Sequence, residues 1–506
     1  MARNANRGVS QERTRPRIRR QLKELVSLGV VLAGLVISRI LYFALGVRFD
    51  SSSLPWFWQY IDPHLLRTAF GQSILHLHSQ PPLFNIFLGI VVNLFPGQES
   101  LVFAAAYLAL GVLLSIGLNL ALTGVGVSRW LSAALTLLFV ASPACVLYEN
   151  WLFYTYPVCV LLVWSVVFLE RFLTRSRIRD AFGLFSLLAC TSLTWNMFHL
   201  VWLVLCLAVL VLARPKLWKG TLAGAMIPLV LVLGWYAKNL VLFREFTAST
   251  WAGMNLAKMT NAMLTQQERR RLYEENVISD LSLVPPFSDL EHYDRFITMP
   301  ESTGIPVLDQ RLKPSGVPNY NNIAYIEISR QLLADNLAIL RTRPSAYLRG
   351  LADSYLNFFL PSDAYMFLAS NREKILRLVM LWSTLVNGRF AFKLRPDLRR
   401  TDPWAYYTCA FVNTGLWLIA AYLAAFVLGV VLLWRRRFRD STGLCLVFVW
   451  VAAFAAALIG NHTEVGENNR FRFVLDPLVL VLVGWMIQAG LVRLRRPQTQ
   501  PASLKR

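Results

Sequence analysis

Runs of roughly 20 apolar residues recur along this chain, and no other feature constrains its fold as strongly. A helix rises about 1.5 Å per residue, so such a run matches the hydrocarbon thickness of a bilayer, about 30 Å. Backbone groups at that depth have no water to bond, and a helix satisfies them internally. Ten spans are expected, at 22–47, 99–122, 127–148, 152–171, 181–196, 198–213, 220–243, 406–434, 441–460 and 474–494. The apolar run 86–95 is too short to span. It follows Pro81 and Pro82, which open a helix but do not continue one, so 83–95 is expected to be a half-helix or a tilted interfacial helix. The predicted fold class is an all-α polytopic membrane protein.

Charge supports this reading. Only 16% of residues are charged, against about 25% in soluble chains. The formal charge is +22, and residues 1–23 hold eight Lys or Arg against one acid. Further basic clusters, TRSRIR (174–179), RPKLWK (214–219), WRRRFR (434–439) and RLRR (493–496), each lie beside an apolar run. That is the pattern that orients a membrane protein with its positive loops inside, not a nucleic-acid footprint. No nucleic-acid partner is expected. The six cysteines all sit in apolar runs without CxxC spacing, so no disulfide framework is expected.

These signals divide the chain into five parts: a basic cytosolic tail (1–21), an N-terminal transmembrane module (22–243) with a first outer loop at 48–82, a long outer loop (244–405), C-terminal transmembrane helices (406–494) and a short cytosolic tail (495–506). The long loop holds 20 basic and 17 acidic residues, so the positive excess lies mostly elsewhere. Within it, 328–344 has helical periodicity and stops at Pro344. KILRLVMLWSTL (374–385) has two readings, an amphipathic surface helix or part of an extra hairpin.

With this topology the unusual polar groups collect on one side. Asp50 follows the first span, and HLHSQPPLFN (76–85) brings His76, His78 and Gln80 to the half-helix. Glu149 sits in a short turn, Asn196 and His199 lie between two short spans, and NHTEVGENNRFRF (461–473) carries Glu464, Glu467, Arg470 and Arg472. Ionisable groups at membrane depth are costly and mark functional sites. Each also has a plainer reading. Asp50 caps a helix or pairs with Arg48. Glu149 is solvated at the interface. His76 and His78 are metal ligands or interfacial polar groups. Asn196 and His199 join helices by hydrogen bonds. The Arg470 and Arg472 forks bind a phosphate or lipid headgroups.

In order and sidedness these elements resemble the GT-C superfamily of integral-membrane glycosyltransferases, in its protein-mannosyltransferase and aminoarabinose-transferase branch (glycosyltransferase family 39-like). The resemblance covers about the first 240 residues and ENNRFRFVLDP (467–477). It implies transfer of a sugar from a polyprenyl-phosphate carrier to an acceptor on the non-cytosolic side. It implies Asp50 as the first-loop catalytic acid and Glu149 at the second acidic position, where the family often has Asp. His78 and Gln80 fall where some relatives place a basic residue on the lipid phosphate. This chain has Gln80 there, so Arg470, Arg472, Lys238 or Lys258 would supply the charge. Ser51 follows Asp50, so the family's usual Asp-Glu pair is absent.

The expected enzyme is a glycosyltransferase (hexosyl or pentosyl transfer) with Asp50 as general base and Glu149 as second catalytic carboxylate. His78, Gln80, Asn196, His199, Arg470 and Arg472 are the expected substrate-binding residues. Expected partners are the bilayer, the polyprenyl-phosphate sugar and a glycan, lipid or protein acceptor. No cofactor is firmly expected, although a divalent metal is compatible with the family. The expected location is a bacterial inner membrane with an extracytoplasmic site. Two other classes stay open. A transporter or flippase would show internal repeats, and none is found. A non-catalytic assembly protein would tolerate Asp50→Asn.

Overall fold

The computed structural model describes residues 5–391 and 402–495. The expected tail beyond 495 and residues 392–401 of the long loop lie outside the described residues. The chain is all-helical, with no β-strand among the described residues and two isolated bridges, Asp50 with Trp151 and Leu312 with Pro318. The principal helices are α1 (Ala5–Ala44), α2 (Leu83–Leu94), α3 (Glu99–Gly124), α4 (Arg129–Val140), α5 (Pro143–Glu149), α6 (Thr155–Arg175), α7 (Ile178–Ser192), α8 (Leu200–Ala213) and α9 (Trp218–Phe243). They continue with α10 (Ala252–Met259), α11 (Ala324–Thr342), α12 (Pro344–Phe358), α13 (Leu376–Trp382), α14 (Pro403–Val412), α15 (Leu416–Trp434), α16 (Ser441–Thr463) and α17 (Asn468–Leu494).

Each expected span has a helical counterpart, but four are bent, broken or short. Among the described residues seven helices are long and apolar enough to cross a membrane. An eighth span forms if α4 and α5 count together, with a bend of 61° between them. Its cause is local. Pro143 cannot continue the helix from upstream, and the Ser142 hydroxyl caps the new start by accepting from the Cys145 N–H at 3.2 Å. The regions expected at 181–196 and 198–213 are helices of only 15 and 14 residues, α7 and α8. The region expected at 406–434 breaks between α14 and α15. The half-helix is present as α2, which starts directly after Pro82.

One apolar core runs through the transmembrane helices. The segment between α9 and α13 adds a small core of its own, with Trp251, Met254, Tyr293, Tyr320, Tyr325 and Leu332 fully or nearly buried. Its helices α10 and α11 cross closely because Gly253 lies there. A Cβ at that position would come within 1.8 Å of the Ser329 carbonyl oxygen. At 374–385 the chain forms α13 followed by a π-turn over Ser383–Asn387, an apolar stretch too short to span.

Candidate active site

The site starts from a backbone pairing. Asp50 donates its N–H to the Asn150 carbonyl at 2.8 Å and accepts from the Leu152 N–H at 2.9 Å. The first loop is thus joined to the turn between α5 and α6. That turn continues into Phe153 and Tyr154, whose rings face a guanidinium from the far end of the sequence.

The guanidinium is Arg470, on the first turn of α17 and 1% exposed. Its carbon lies 4.5 Å from the Trp195 ring centroid, 4.8 Å from Phe153 and 5.4 Å from Tyr154. Such faces attract a cation, and more so where water is excluded. Arg470 also donates to Glu467 and, at 3.2 Å, to the Thr155 hydroxyl. Its Nε–H is buried with no acceptor. Beside it, Lys258 of α10 pairs with Glu464 at 2.8 Å.

Arg470, Glu467, Lys258, Glu464, Tyr154 and Trp195 line a cavity of about 40 Å³. Its walls include Trp58, Trp251 and Phe287, and its polar groups include Gln80 and Asn196. Burial pushes the Glu467 carboxyl up, but Arg470, Lys258 and the Tyr365 hydroxyl outweigh it and hold the group below its ordinary range. Burial likewise opposes the Lys258 ammonium, and Glu464 and Glu467 outweigh it, raising the pKa. The pocket thus sets the Glu467 carboxylate against the Arg470 guanidinium and the Lys258 ammonium. Trp195, Asn196, Asn255 and Glu464 also line a second, mostly apolar cavity of about 480 Å³. The polar pocket and the apolar cavity are neighbours that share a wall.

The structure separates the residues that the sequence groups together. Gln80, Asn196 and Arg470 share the pocket. His199 lines the apolar cavity and caps α8, its Nδ1 accepting from the Val201 N–H at 3.1 Å. Asp50 is half-buried, and its Oδ1 accepts from the Ser52 N–H at 2.9 Å. Glu149 instead meets Arg39 of α1 in a two-pronged ion pair of 2.8 and 2.5 Å, and also accepts from the Tyr156 hydroxyl at 2.6 Å. The pair is pressed against α3 at Gly111, where a Cβ would come 2.3 Å from the Glu149 carboxylate. Arg472 donates to the Phe358 and Leu360 carbonyls at 2.8 and 2.6 Å, to the Ser362 hydroxyl at 2.6 Å and to Asp476 at 3.2 Å. It ties the start of α17 to the segment after α12.

His78 is fully buried between the first and long loops. Its Nε2 lies 2.9 Å from the Asn321 carbonyl and its Nδ1 lies 2.8 Å from the Thr250 hydroxyl. A carbonyl only accepts, so Nε2 carries the proton and Nδ1 accepts. Burial, with the nearby Lys238 charge, pushes its pKa down to about 3 despite the Asn321 bond. Around it Asn321 Oδ1 accepts from the His78 and Ser79 N–H groups at 2.9 and 3.0 Å. The Ser249 hydroxyl donates to the Ser79 carbonyl at 2.6 Å and Lys238 donates to the Leu77 carbonyl at 2.6 Å. The loop is polar because its backbone is held from both sides, and this hold turns Gln80 to the pocket wall. His76, in contrast, bonds its own helix turn through Gln72, so the two histidines do not converge. Among the described residues no three His, Cys, Asp or Glu side chains are grouped as a metal site.

Sequence reasoning missed Arg39, which sits inside an apolar run, and the clamp residues Thr250 and Asn321. Only the identity of Arg39 as a lone charge in that run signalled it.

No family model matches the chain, and no curated protein matches it. Two solved structures align with much of the chain at low similarity. The oligosaccharyltransferase of Archaeoglobus fulgidus, in its apo form, aligns over 92% of this chain and 51% of its own, at 13% identity and a TM-score of 0.35. This chain therefore spans about half that protein's length. ArnT from Cupriavidus metallidurans, bound to undecaprenyl phosphate, aligns over 86% of this chain and 77% of its own, at 15% identity and a TM-score of 0.34. At this level of likeness what the site can do is read from its own side chains.

Proposed function

We propose that the chain is a membrane glycosyltransferase that moves one sugar from a polyprenyl-phosphate donor to an acceptor hydroxyl, on the extracytoplasmic face of a bacterial inner membrane. One observation carries this reading. A charged, aromatic-walled pocket shares a wall with a larger apolar cavity. The donor has the same two-part chemistry, an isoprenoid chain joined through phosphate to a sugar. The chain would occupy the apolar cavity, and the aromatic faces would pack on the sugar. Arg470 and Lys258 would stabilise the charge that develops on the phosphate as the glycosidic bond breaks. Phosphate oxygens would replace part of the hold that Glu467 and Glu464 have on those cations.

The acceptor hydroxyl needs a base as it attacks the anomeric carbon. Glu467 is a poor base, since its charge is stabilised by three neighbours. We assign that role to Asp50, whose backbone is bonded to the turn that leads into Phe153 and Tyr154. Glu149 is reassigned from catalysis to the ion pair with Arg39.

The test is a mass-spectrometric comparison of lipid-linked sugars and envelope glycans. Cells lacking the protein are complemented with wild type, Asp50→Asn or Arg470→Lys at matched membrane levels. Loss of one glycan modification together with accumulation of its lipid-linked donor supports the reading. Full complementation by both variants overturns it in favour of an assembly role. A donor-independent loss of substrate movement across the membrane would favour a transporter.

A further inference from the structure

Resting on the glycosyl-transfer reading, we infer that Gln59 bonds a hydroxyl of the donor sugar and sets donor specificity, so that the donor carries a neutral sugar rather than an amino or acidic one.

Gln59 stands in the first outer loop, in the stretch WFWQY (56–60). This stretch lies in turns, and its backbone is held from two sides. Lys313 of the long loop, 4% exposed, donates to the Phe57 and Tyr60 carbonyls at 2.6 and 2.7 Å. Asn85 of α2 donates to the Gln59 carbonyl at 3.0 Å and accepts from the Ile61 N–H at 2.8 Å. These bonds fix residues 57–61 and leave Gln59 in the wall of the charged pocket.

The Gln59 Oε1 is buried with no donor. A buried acceptor left unpaired is costly, and a ligand that brings a donor relieves it. In the same pocket the Arg470 Nε–H has no acceptor. Among the described residues the side-chain amides of Gln80, Asn196 and Asn255, also in its wall, make no hydrogen bond.

These unspent groups offer donors and acceptors together, because each amide carries both. A hydroxyl also donates and accepts, and so matches them. An ammonium only donates. It would set its N–H groups against those of the amides and of Arg470. A carboxylate only accepts. It would leave the Gln59 Oε1 unpaired and add a third acid beside Glu464 and Glu467. The fixed charges of the pocket are already matched, Arg470 with Glu467 and Lys258 with Glu464. A cavity of about 40 Å³ has room for about three water-sized groups, so it encloses one hydroxyl-bearing edge of a sugar ring.

The experiment measures binding of decaprenyl phosphate, bare or carrying glucose, mannose, galactose, glucosamine or glucuronic acid, to the full chain in phosphatidylcholine nanodiscs. The signal is tryptophan fluorescence, since Trp58, Trp195 and Trp251 wall the pocket. At least one neutral sugar is expected to tighten binding by about tenfold or more over the bare carrier, and neither charged sugar is expected to match it. Gln59→Leu should lose that gain and keep the affinity for the bare carrier, which reports its fold. Gln59→Glu, of nearly the same size, should move the gain to glucosamine. A charged sugar that binds the wild type most tightly overturns the assignment, as does a neutral-sugar gain that survives both substitutions. Binding of the bare carrier with no gain from any sugar also overturns it, and leaves the transfer reading standing. Failure of every carrier to bind, the bare one included, overturns the transfer reading as well.

Discussion

Arg470 and Arg472 stand two residues apart on α17 and serve opposite sides of it. Two helical steps turn a side chain by about 200°. Arg470 lines the charged pocket, whereas Arg472 binds two carbonyls, a hydroxyl and Asp476. Their substitution should therefore have different signatures. Arg470→Lys keeps a charge but loses the fork, so transfer should fall by at least about tenfold with little change in melting temperature. Arg472→Ala leaves buried acceptors unpaired and should cost about 3 kcal/mol or more of stability. Thermal unfolding in detergent and a transfer assay on the same preparations separate the two.

Glu149 offers a second contrast. Its ion pair with Arg39 is nearly buried, with side-chain exposures of 12% and 4%. Glu149→Gln should leave Arg39 without a counter-charge and destabilise the protein by about 3–5 kcal/mol. Replacing both with apolar residues should restore much of that stability. A Glu149→Gln protein with wild-type melting and no transfer would return this residue to catalysis.

His78 should make the protein acid-sensitive. Its pKa is about 3 in the fold against an ordinary 6.5. Between these values the unfolded chain takes up a proton that the folded chain refuses. The folded state therefore keeps its full stability above 6.5 and loses it as pH falls, by up to about 1.4 kcal/mol per pH unit. Melting curves at pH 7 and pH 5 should show a larger drop for wild type than for His78→Gln.

Asp50 and Glu467 can be told apart by kinetics. Asp50→Asn retains an oxygen for the Ser52 N–H, so binding of the lipid-linked donor and melting should stay near wild type while transfer falls by about 10²-fold or more. Glu467→Gln loosens Arg470 and should weaken donor binding first. The split between KM and kcat for the lipid-linked sugar is the measurement.

Much of the fold was legible because spans announce themselves by length. The half-helix at Leu83 and the helix stop before Pro344 were legible for the same reason, since proline limits are local. What a span packs against is not local. The helix break at 413–415 and the shortness of α7 and α8 come from tertiary packing, which apolar runs alone do not encode. In the site, Gln80, Asn196 and Arg470 were legible as polar groups at span ends, and they do converge. Glu149 looked the same in sequence, but its partner Arg39 lies 110 positions upstream. His78 was legible as unusual, though not as neutral, because Asn321 and Thr250 lie in a different loop.

The bond between Arg470 and Thr155 joins residues 315 positions apart. During synthesis, the aromatic side of the cage enters the membrane long before the cation that completes it. A chain made only as far as α16 therefore carries Phe153, Tyr154, Trp195 and Lys258 without the guanidinium that packs on the three rings. Addition of α17 is therefore the step that closes the charged pocket, and a chain cut before it should lack that pocket.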